Sequence, residues 1–340
     1  MSYMLNASIN TSMSDEALVA GGLRKLVATL VPGAAVERLQ RLSGGATQET
    51  WRFEAVSSVG STTLILRRAP RGDRLSQEAA GLEIEARLIA AARDRDVPVP
   101  LVKHVLTPAD GLGSGFIMDF VEGETLGGRI VKSETFAAVR ETLSRRCGEI
   151  LAKLHSIDPA PFPSLRSSAP SELLQHWEDQ YRSTHWPRPV FVCAFRWLRQ
   201  TCPAPPARPC MVHGDFRNGN LIIGADGIRA VLDWELAHIG DPMEDIGWLC
   251  VNSWRFGRMD KVVGGFGDLA DLIAGYSQAG GAPIRIESCK WWIVFGTLRW
   301  GVMCATMTRD FRTIDPTVER AAIARRASET EIDLLRLLAG

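Results

Sequence analysis

The chain has little that would tie it to a charged polymer, a membrane or a metal cluster. Its 340 residues carry 39 Lys plus Arg against 39 Asp plus Glu, so no excess of either sign draws it to nucleic acid or an anionic surface. The seven cysteines (Cys147, Cys193, Cys202, Cys210, Cys250, Cys289 and Cys304) form no C-x-x-C pair, and the six histidines show no zinc spacing. An odd, scattered set reads as reduced thiols, mostly packed inside a cytoplasmic protein. Long apolar runs are also missing. The most apolar stretch, 291–307, is interrupted by Arg299 and falls short of the ~20 residues of a bilayer span; it is expected to be a buried helix. Residues 1–14 are polar and rich in Ser and Asn, with no apolar leader, and read as a loose end. No internal repeat is evident. What remains is an ordinary globular composition, long enough for one large or two modest domains. Neither nucleic acid nor a membrane is expected as a partner.

Residues 15–31 read as a helix, with Ser14 or Asp15 as N-cap and Pro32-Gly33 closing it. Strands follow over 36–42, 49–56 and 62–68. An amphipathic helix over 76–93 has Leu82, Leu88 and Ile89 inside, and Val97-Pro98-Val99-Pro100 breaks it before strands near 101–106 and 115–121. These elements form a small α+β lobe over 15–122. Beyond Gly123 the pattern turns helical: Leu143, Ile150, Leu151 and Leu154 recur at helical spacing over 136–155, and Pro-rich connectors at 156–170 and 201–209 surround helices near 171–184 and 190–200. The second domain is therefore 123–340.

Its most informative stretch is His213-Gly214-Asp215-Phe216-Arg217-Asn218-Gly219-Asn220, followed by Ala230-Val231-Leu232-Asp233-Trp234-Glu235. Residues 221–232 between Asn220 and Asp233 read as strand, Asp-Gly turn, strand. With Asp226-Gly227 at the centre of a type I′ turn, Ala225 pairs with Ile228, Ile223 with Ala230 and Asn220 with Asp233. An amide oxygen and a carboxylate then stand side by side, with Asp215 in the loop before them. Oxygen ligands of this kind suit Mg²⁺, which shares its shell with waters and substrate phosphates. Singly, each of these residues is an ordinary turn former or cap.

As a whole, the string resembles the catalytic loop and metal segment of the aminoglycoside phosphotransferase and choline kinase-like family, whose fold is that of protein kinases. The resemblance runs from about residue 36 to about 310 and is strongest over 211–248. It implies an α+β, bilobal protein-kinase-like fold, with a small antiparallel-sheet N-lobe carrying one long helix, a larger mainly helical C-lobe, and ATP in the cleft. In that frame Asp215 is the catalytic base for the attacking hydroxyl, while Asn220 and Asp233 hold Mg²⁺ on the ATP phosphates. His213 braces the loop, Asp245 accepts hydrogen bonds from loop N–H groups, and Glu235 is an accessory ligand or substrate contact. No long activation segment with an Ala-Pro-Glu anchor follows Asp233, which argues against a protein kinase.

Four further places are read through the same frame. Gly44, Gly45 and Thr47, between two strands, could cradle phosphates or simply make a hairpin turn. Arg67 stands on the third strand where kinase-like folds carry a Lys, and Glu85 is its best helix partner, ahead of Glu83. Arg can grip phosphate bidentately but is not geometrically equivalent to Lys. The backbone of Asp119 and Val121 resembles the adenine-binding hinge, or is a buried strand running into a turn.

The acceptor is less legible. Residues 156–209 hold four acids and six arginines, and 246–327 seven acids and eleven Lys or Arg; a polycationic aminoglycoside would want the opposite balance. Leu42-Ser43-Gly44-Gly45, Val97-Pro98-Val99-Pro100 and Ile239-Gly240-Asp241-Pro242 look most like the kinase half of acyl-CoA dehydrogenase fusion proteins. That branch implies an ATP- and Mg-dependent kinase acting on a hydroxyacid or hydroxyacyl-CoA. The alternatives are an aminoglycoside or other amino-alcohol or sugar O-phosphotransferase, and a nucleotide-binding pseudokinase.

Overall fold

Trp51, Phe53 and Ala55 are buried while the residues between them are partly exposed, the period-two alternation of a strand with one face on a core. This strand belongs to a computed structural model that describes residues 2–42, 48–69, 80–314 and 317–339, with the side chains of 2–14 and 319 left outside the description. The chain divides into two compact units, Met1–Arg93 with Val99–Val121, and Asp94–Pro98 with Glu122–Gly340.

The first unit comprises α1 (Ser2–Leu30), β1 (Ala35–Arg41), β2 (Glu49–Ser57), β3 (Gly60–Arg68), α2 (Leu82–Arg93), β4 (Val102–Val105) and β5 (Gly115–Asp119). Its sheet has the order β1-β2-β3-β5-β4, antiparallel throughout. Val19, Leu23, Leu26 and Val27 lie on one face of α1 by their helical spacing. They are buried against Trp51, Phe53, Leu64, Leu66 and Ile117 of the sheet. The loose end expected over 1–14 falls on residues whose side chains are not described. The helix expected from residue 76 begins at Leu82, with 76–79 outside the described residues. The last strand ends at Asp119, two residues sooner than expected.

The second unit contains α3 (Gly127–Lys132), α4 (Ala137–His155), α5 (Pro170–Ser183), α6 (Pro189–Gln200), β6 (Cys210–Val212), β7 (Leu221–Gly224), β8 (Gly227–Val231), β9 (His238–Gly240), α7 (Met243–Leu249), α8 (Leu269–Gln278), α9 (Ile286–Thr313), α10 (Val318–Ala324) and α11 (Ala327–Ala339). The apolar stretch 291–307 lies in α9, as expected, with Trp291, Trp292, Val294, Phe295, Leu298 and Val302 buried. Its interrupting charge is buried too, because Arg299 Nη1 lies 3.2 Å from Glu244 Oε1 on α7. Gly247 lets α7 lie close against α9, since a Cβ there would come within 2.7 Å of the Trp292 carbonyl carbon. No helix among the described residues is long and apolar enough to cross a membrane. The seven cysteines are free, and Cys147, Cys250, Cys289 and Cys304 are buried.

The hairpin register differs from the expected one. Gly224 pairs with Gly227, so Ala225-Asp226 form the centre of the turn. A type I′ turn needs positive φ at both central residues, and neither Ala225 nor Asp226 has it; the positive φ, 128°, falls on Gly227. The ladder then skips Arg229, pairing Ile223 with Ile228 but Ile222 with Ala230, a bulge of one residue. Asn220 consequently lies opposite Leu232, whose N–H donates to the Asn220 carbonyl at 2.9 Å, and Asp233 lies one residue further on.

Candidate active site

The loop before β7 is held by one buried acid. β6 pairs with β9, Val212 opposite His238, which brings the start of the His213-Gly214-Asp215 string beside the entry to α7. From the first turn of α7, the fully buried Asp245 accepts the His213 N–H on Oδ2 at 2.8 Å and the Gly214 N–H on Oδ1 at 2.9 Å. His155, at the end of α4, adds its Nε2 to Asp245 Oδ2 at 3.2 Å. Burial pushes the Asp245 carboxyl upward, but its hydrogen bond and attraction to His155, with help from His213, outweigh burial and hold it below the usual carboxylate range.

His213 is itself buried, and burial lowers its pKa despite the nearby carboxylates of Asp245, Asp215 and Asp233. Its Nδ1 accepts the Asp215 N–H at 3.2 Å, so a neutral imidazole braces the next residue of the loop.

Asp215 is thus set from both sides of the backbone, and its carboxylate is oriented by three side chains. Oδ2 accepts from Asn220 Nδ2 at 2.6 Å; Oδ1 accepts from Trp248 Nε1 at 2.7 Å and from Arg217 Nε at 3.0 Å. A carboxylate offers about four acceptor positions, so three are filled and one is left. Asn220 Nδ2 also donates to the Asp215 carbonyl at 3.0 Å, which leaves the amide Oδ1 as the acceptor of that side chain. Asp233 adopts a left-handed backbone, φ 68° and ψ 63°, a conformation Asp tolerates better than most residues and one that recurs at ligand clamps. An amide oxygen and a carboxylate are hard donors that fit Mg²⁺ better than zinc. Among the described residues, no three of His, Cys, Asp and Glu gather as a metal cage.

On the first unit, Arg67 and Glu85 come together, with Nε 3.3 Å from Oε1 and side chains 14% and 1% exposed. Gln48 joins them: its Nε2 donates to Glu85 Oε2 at 3.4 Å and its Oε1 accepts from Arg67 Nε. The neighbouring Arg68 points elsewhere, into a buried pair with Glu49 at 3.0 Å. Asp119 N–H donates to the Leu101 carbonyl at 2.9 Å, and the Asp119 side chain pairs with Lys103. Val121 is the last residue of this unit. Gly44, Gly45 and Thr47 lie outside the described residues.

Sequence reasoning missed Gln48, Arg217 and Trp248. A helical signal for Trp248 was available, because it follows Asp245 by three residues and so shares its face of α7. Behind it, Arg299 lies 4.5 Å from the Trp248 ring, and Glu244 ties Arg299 to His238, whose Nε2 is 3.1 Å from Glu244 Oε2. Burial pushes the Glu244 carboxyl upward, but His238 and Arg299 outweigh it and hold the carboxyl low.

The pattern of the Phosphotransferase enzyme family matches residues 38–281. Among curated proteins, acyl-CoA dehydrogenase family member 10 of Mus musculus is 30% identical over 201 residues, 55% of this chain and 18% of that protein. Probable acyl-CoA dehydrogenase IBR3 of Arabidopsis thaliana is 26% identical over 293 residues, 77% of this chain and 35% of that protein. The chain thus spans well under half the length of both. A provisionally assigned aminoglycoside phosphotransferase from Ralstonia eutropha superposes with a TM-score of 0.70 at 22% identity, covering 93% of this chain and 97% of that one. Spectinomycin phosphotransferase, solved with ADP and spectinomycin, gives 0.62 at 12% identity, with coverage of 94% and 98%. The chain belongs to the Phosphotransferase enzyme family, shares the protein-kinase-like α+β fold of these structures, and resembles in sequence the acyl-CoA dehydrogenase relatives that its motifs pointed to.

Proposed function

We propose that this phosphotransferase moves the γ-phosphate of ATP, with Mg²⁺, to a hydroxyl of a small metabolite, a hydroxyacid or hydroxyacyl-CoA. The observation that carries the reading is the Asp215 carboxylate, oriented by Asn220, Trp248 and Arg217 with one acceptor position left. In this reading Asp215 takes the proton of the acceptor hydroxyl as its oxygen bonds to the γ-phosphorus and the bond to ADP breaks. Asn220 Oδ1 and Asp233 would hold the metal, which would supply positive charge against that developing on the phosphates. On the first unit, Arg67, steadied by Glu85 and Gln48, would take the α/β-phosphates; Gly44, Gly45 and Thr47, outside the described residues, are the further phosphate ligands proposed. The Asp119 carbonyl and the Val121 N–H bind adenine, the Asp119 N–H being already committed to Leu101. Residues 15–122 are then the nucleotide lobe and 123–340 the catalytic and acceptor lobe. The free thiols accord with a cytoplasmic setting.

The reading supports an acidic acceptor because the charge touching Asp215 is a guanidinium, and the resemblance to acyl-CoA dehydrogenase relatives points the same way. Amino sugars form the second reading, favoured by the solved spectinomycin enzyme. A panel of hydroxyacids, their thioesters, amino sugars and amino alcohols, incubated with MgATP and followed by ADP release, decides between them. Turnover of hydroxyacids or thioesters is expected; turnover confined to amino sugars or amino alcohols would sink the acidic reading.

A further inference from the structure

Arg217 is fixed at one end and open at the other. Its Nε donates to Asp215 Oδ1 at 3.0 Å, and its guanidinium carbon lies 4.6 Å from the ring of Trp254. That ring is only 4% exposed and packs in turn against Trp248 and Trp300. Gly219 leaves room for the guanidinium, since a Cβ there would come within 2.6 Å of Arg217 Nη1. The side chain is 24% exposed. A guanidinium presents five N–H donors. Among the described residues, the bond from Nε to Asp215 is the one hydrogen bond it makes. Both Nη groups, the end of the fork that matches a carboxylate or carbonyl pair, therefore make no hydrogen bond to the described residues, and they belong to the same planar group whose Nε reaches Asp215.

We infer that Arg217 reads the acceptor: its Nη groups bind a carbonyl oxygen, of a free carboxylate or a thioester, carried a short carbon chain away from the hydroxyl that faces Asp215. The inference rests on Asp215 being the base that receives that hydroxyl. Charge supports it, because an acidic acceptor brought beside the Asp215 carboxylate needs a cation between them, whereas a polycationic acceptor would be repelled by the same group. Geometry supports it too, because one rigid plane links the base to the second oxygen and so fixes the spacing between hydroxyl and carbonyl.

The test compares kcat/KM for a hydroxyacid, its short-chain thioester and the matching diol that lacks the carbonyl, in wild type, Arg217→Lys and Arg217→Ala. Losing a charge-assisted fork should lower the ratio of carbonyl-bearing acceptor to diol by about 10–100-fold in Arg217→Ala. Arg217→Lys, which keeps the charge but not the fork, should show a smaller loss and guards against misfolding as the cause. Whether the acid or the thioester loses more identifies the source of the oxygen. An unchanged ratio, with all three acceptors slowed equally, would place Arg217 on the transferred phosphate and overturn the inference. If wild type phosphorylates no acceptor while binding MgATP, the kinase reading falls first and takes this inference with it; if wild type turns over and the ratio holds, the inference falls alone.

Discussion

The two units hold their charged groups in different ways. In the second, Asp215 is oriented by Arg217 and Asn220, two and five residues away in the chain, and by Asp245 and Trp248 from one face of α7. Backbone N–H groups, a neutral imidazole and an indole set the position of one carboxylate. In the first, side chains from separate elements meet: Arg67 of β3, Glu85 of α2 and Gln48 from just before β2. A group held by many short-range bonds is suited to a reaction that requires a defined geometry. A guanidinium anchored by side chains from other elements is suited to holding a nucleotide phosphate. Changes in the second unit should therefore abolish turnover, and changes in the first should weaken nucleotide binding.

Asp215→Ala should lower turnover by about 10²–10⁴-fold while nucleotide affinity, read by calorimetry, changes little; a loss of affinity without loss of turnover would reverse the contrast. Next in size, Asp245→Ala removes the partner of three groups from a fully buried position. It should destabilise the protein by about 3–5 kcal/mol, seen as a lower urea midpoint; an unchanged midpoint would mean the loop is not held from α7. Arg67→Ala should raise the KM for ATP by about tenfold through loss of a charged hydrogen-bonding group, and Arg67→Lys by less. If Arg67→Ala instead lowered kcat alone, the division of labour between the units would fail.

The smallest effect concerns pH. Burial lowers the His213 pKa from its ordinary value near 6.5, so between the lowered value and about 6.5 the unfolded chain binds a proton that the folded chain refuses. The stability contribution is complete above about pH 6.5 and is lost as the pH falls toward the folded value. His213→Gln should flatten that part of the stability–pH curve. A curve that kept its slope would assign it to another group.

Legibility in the sequence followed locality. The strands of the first unit and the helices at 137–155, 170–183 and 189–200 were readable to within a few residues because burial imposes period 2 or 3.6 directly on the sequence. The His213-Gly214-Asp215 string was readable through its resemblance to a known catalytic loop, which also pointed to Asp245, 32 positions from His213, as acceptor for the loop N–H groups. The hairpin register was not. It depended on which residue of Ala225-Asp226-Gly227 took positive φ and on a bulge at Arg229, whose side chain bonds Asp226 and the Glu122 carbonyl. Gln48 reaches Glu85 over 37 positions, where no periodicity reports it, while Trp248 reaches Asp215 over 33 and only its three-residue spacing from Asp245 could have pointed to it.

The central claim is that Asp215 serves transfer from ATP to a hydroxyl, and phosphorus NMR of MgATP with a hydroxyacid and its thioester tests it directly. The account predicts a new phosphate-monoester resonance growing in step with ADP for wild type and absent for Asp215→Ala. ATP bound but never converted to a monoester by wild type, or equal conversion by Asp215→Ala, would contradict it.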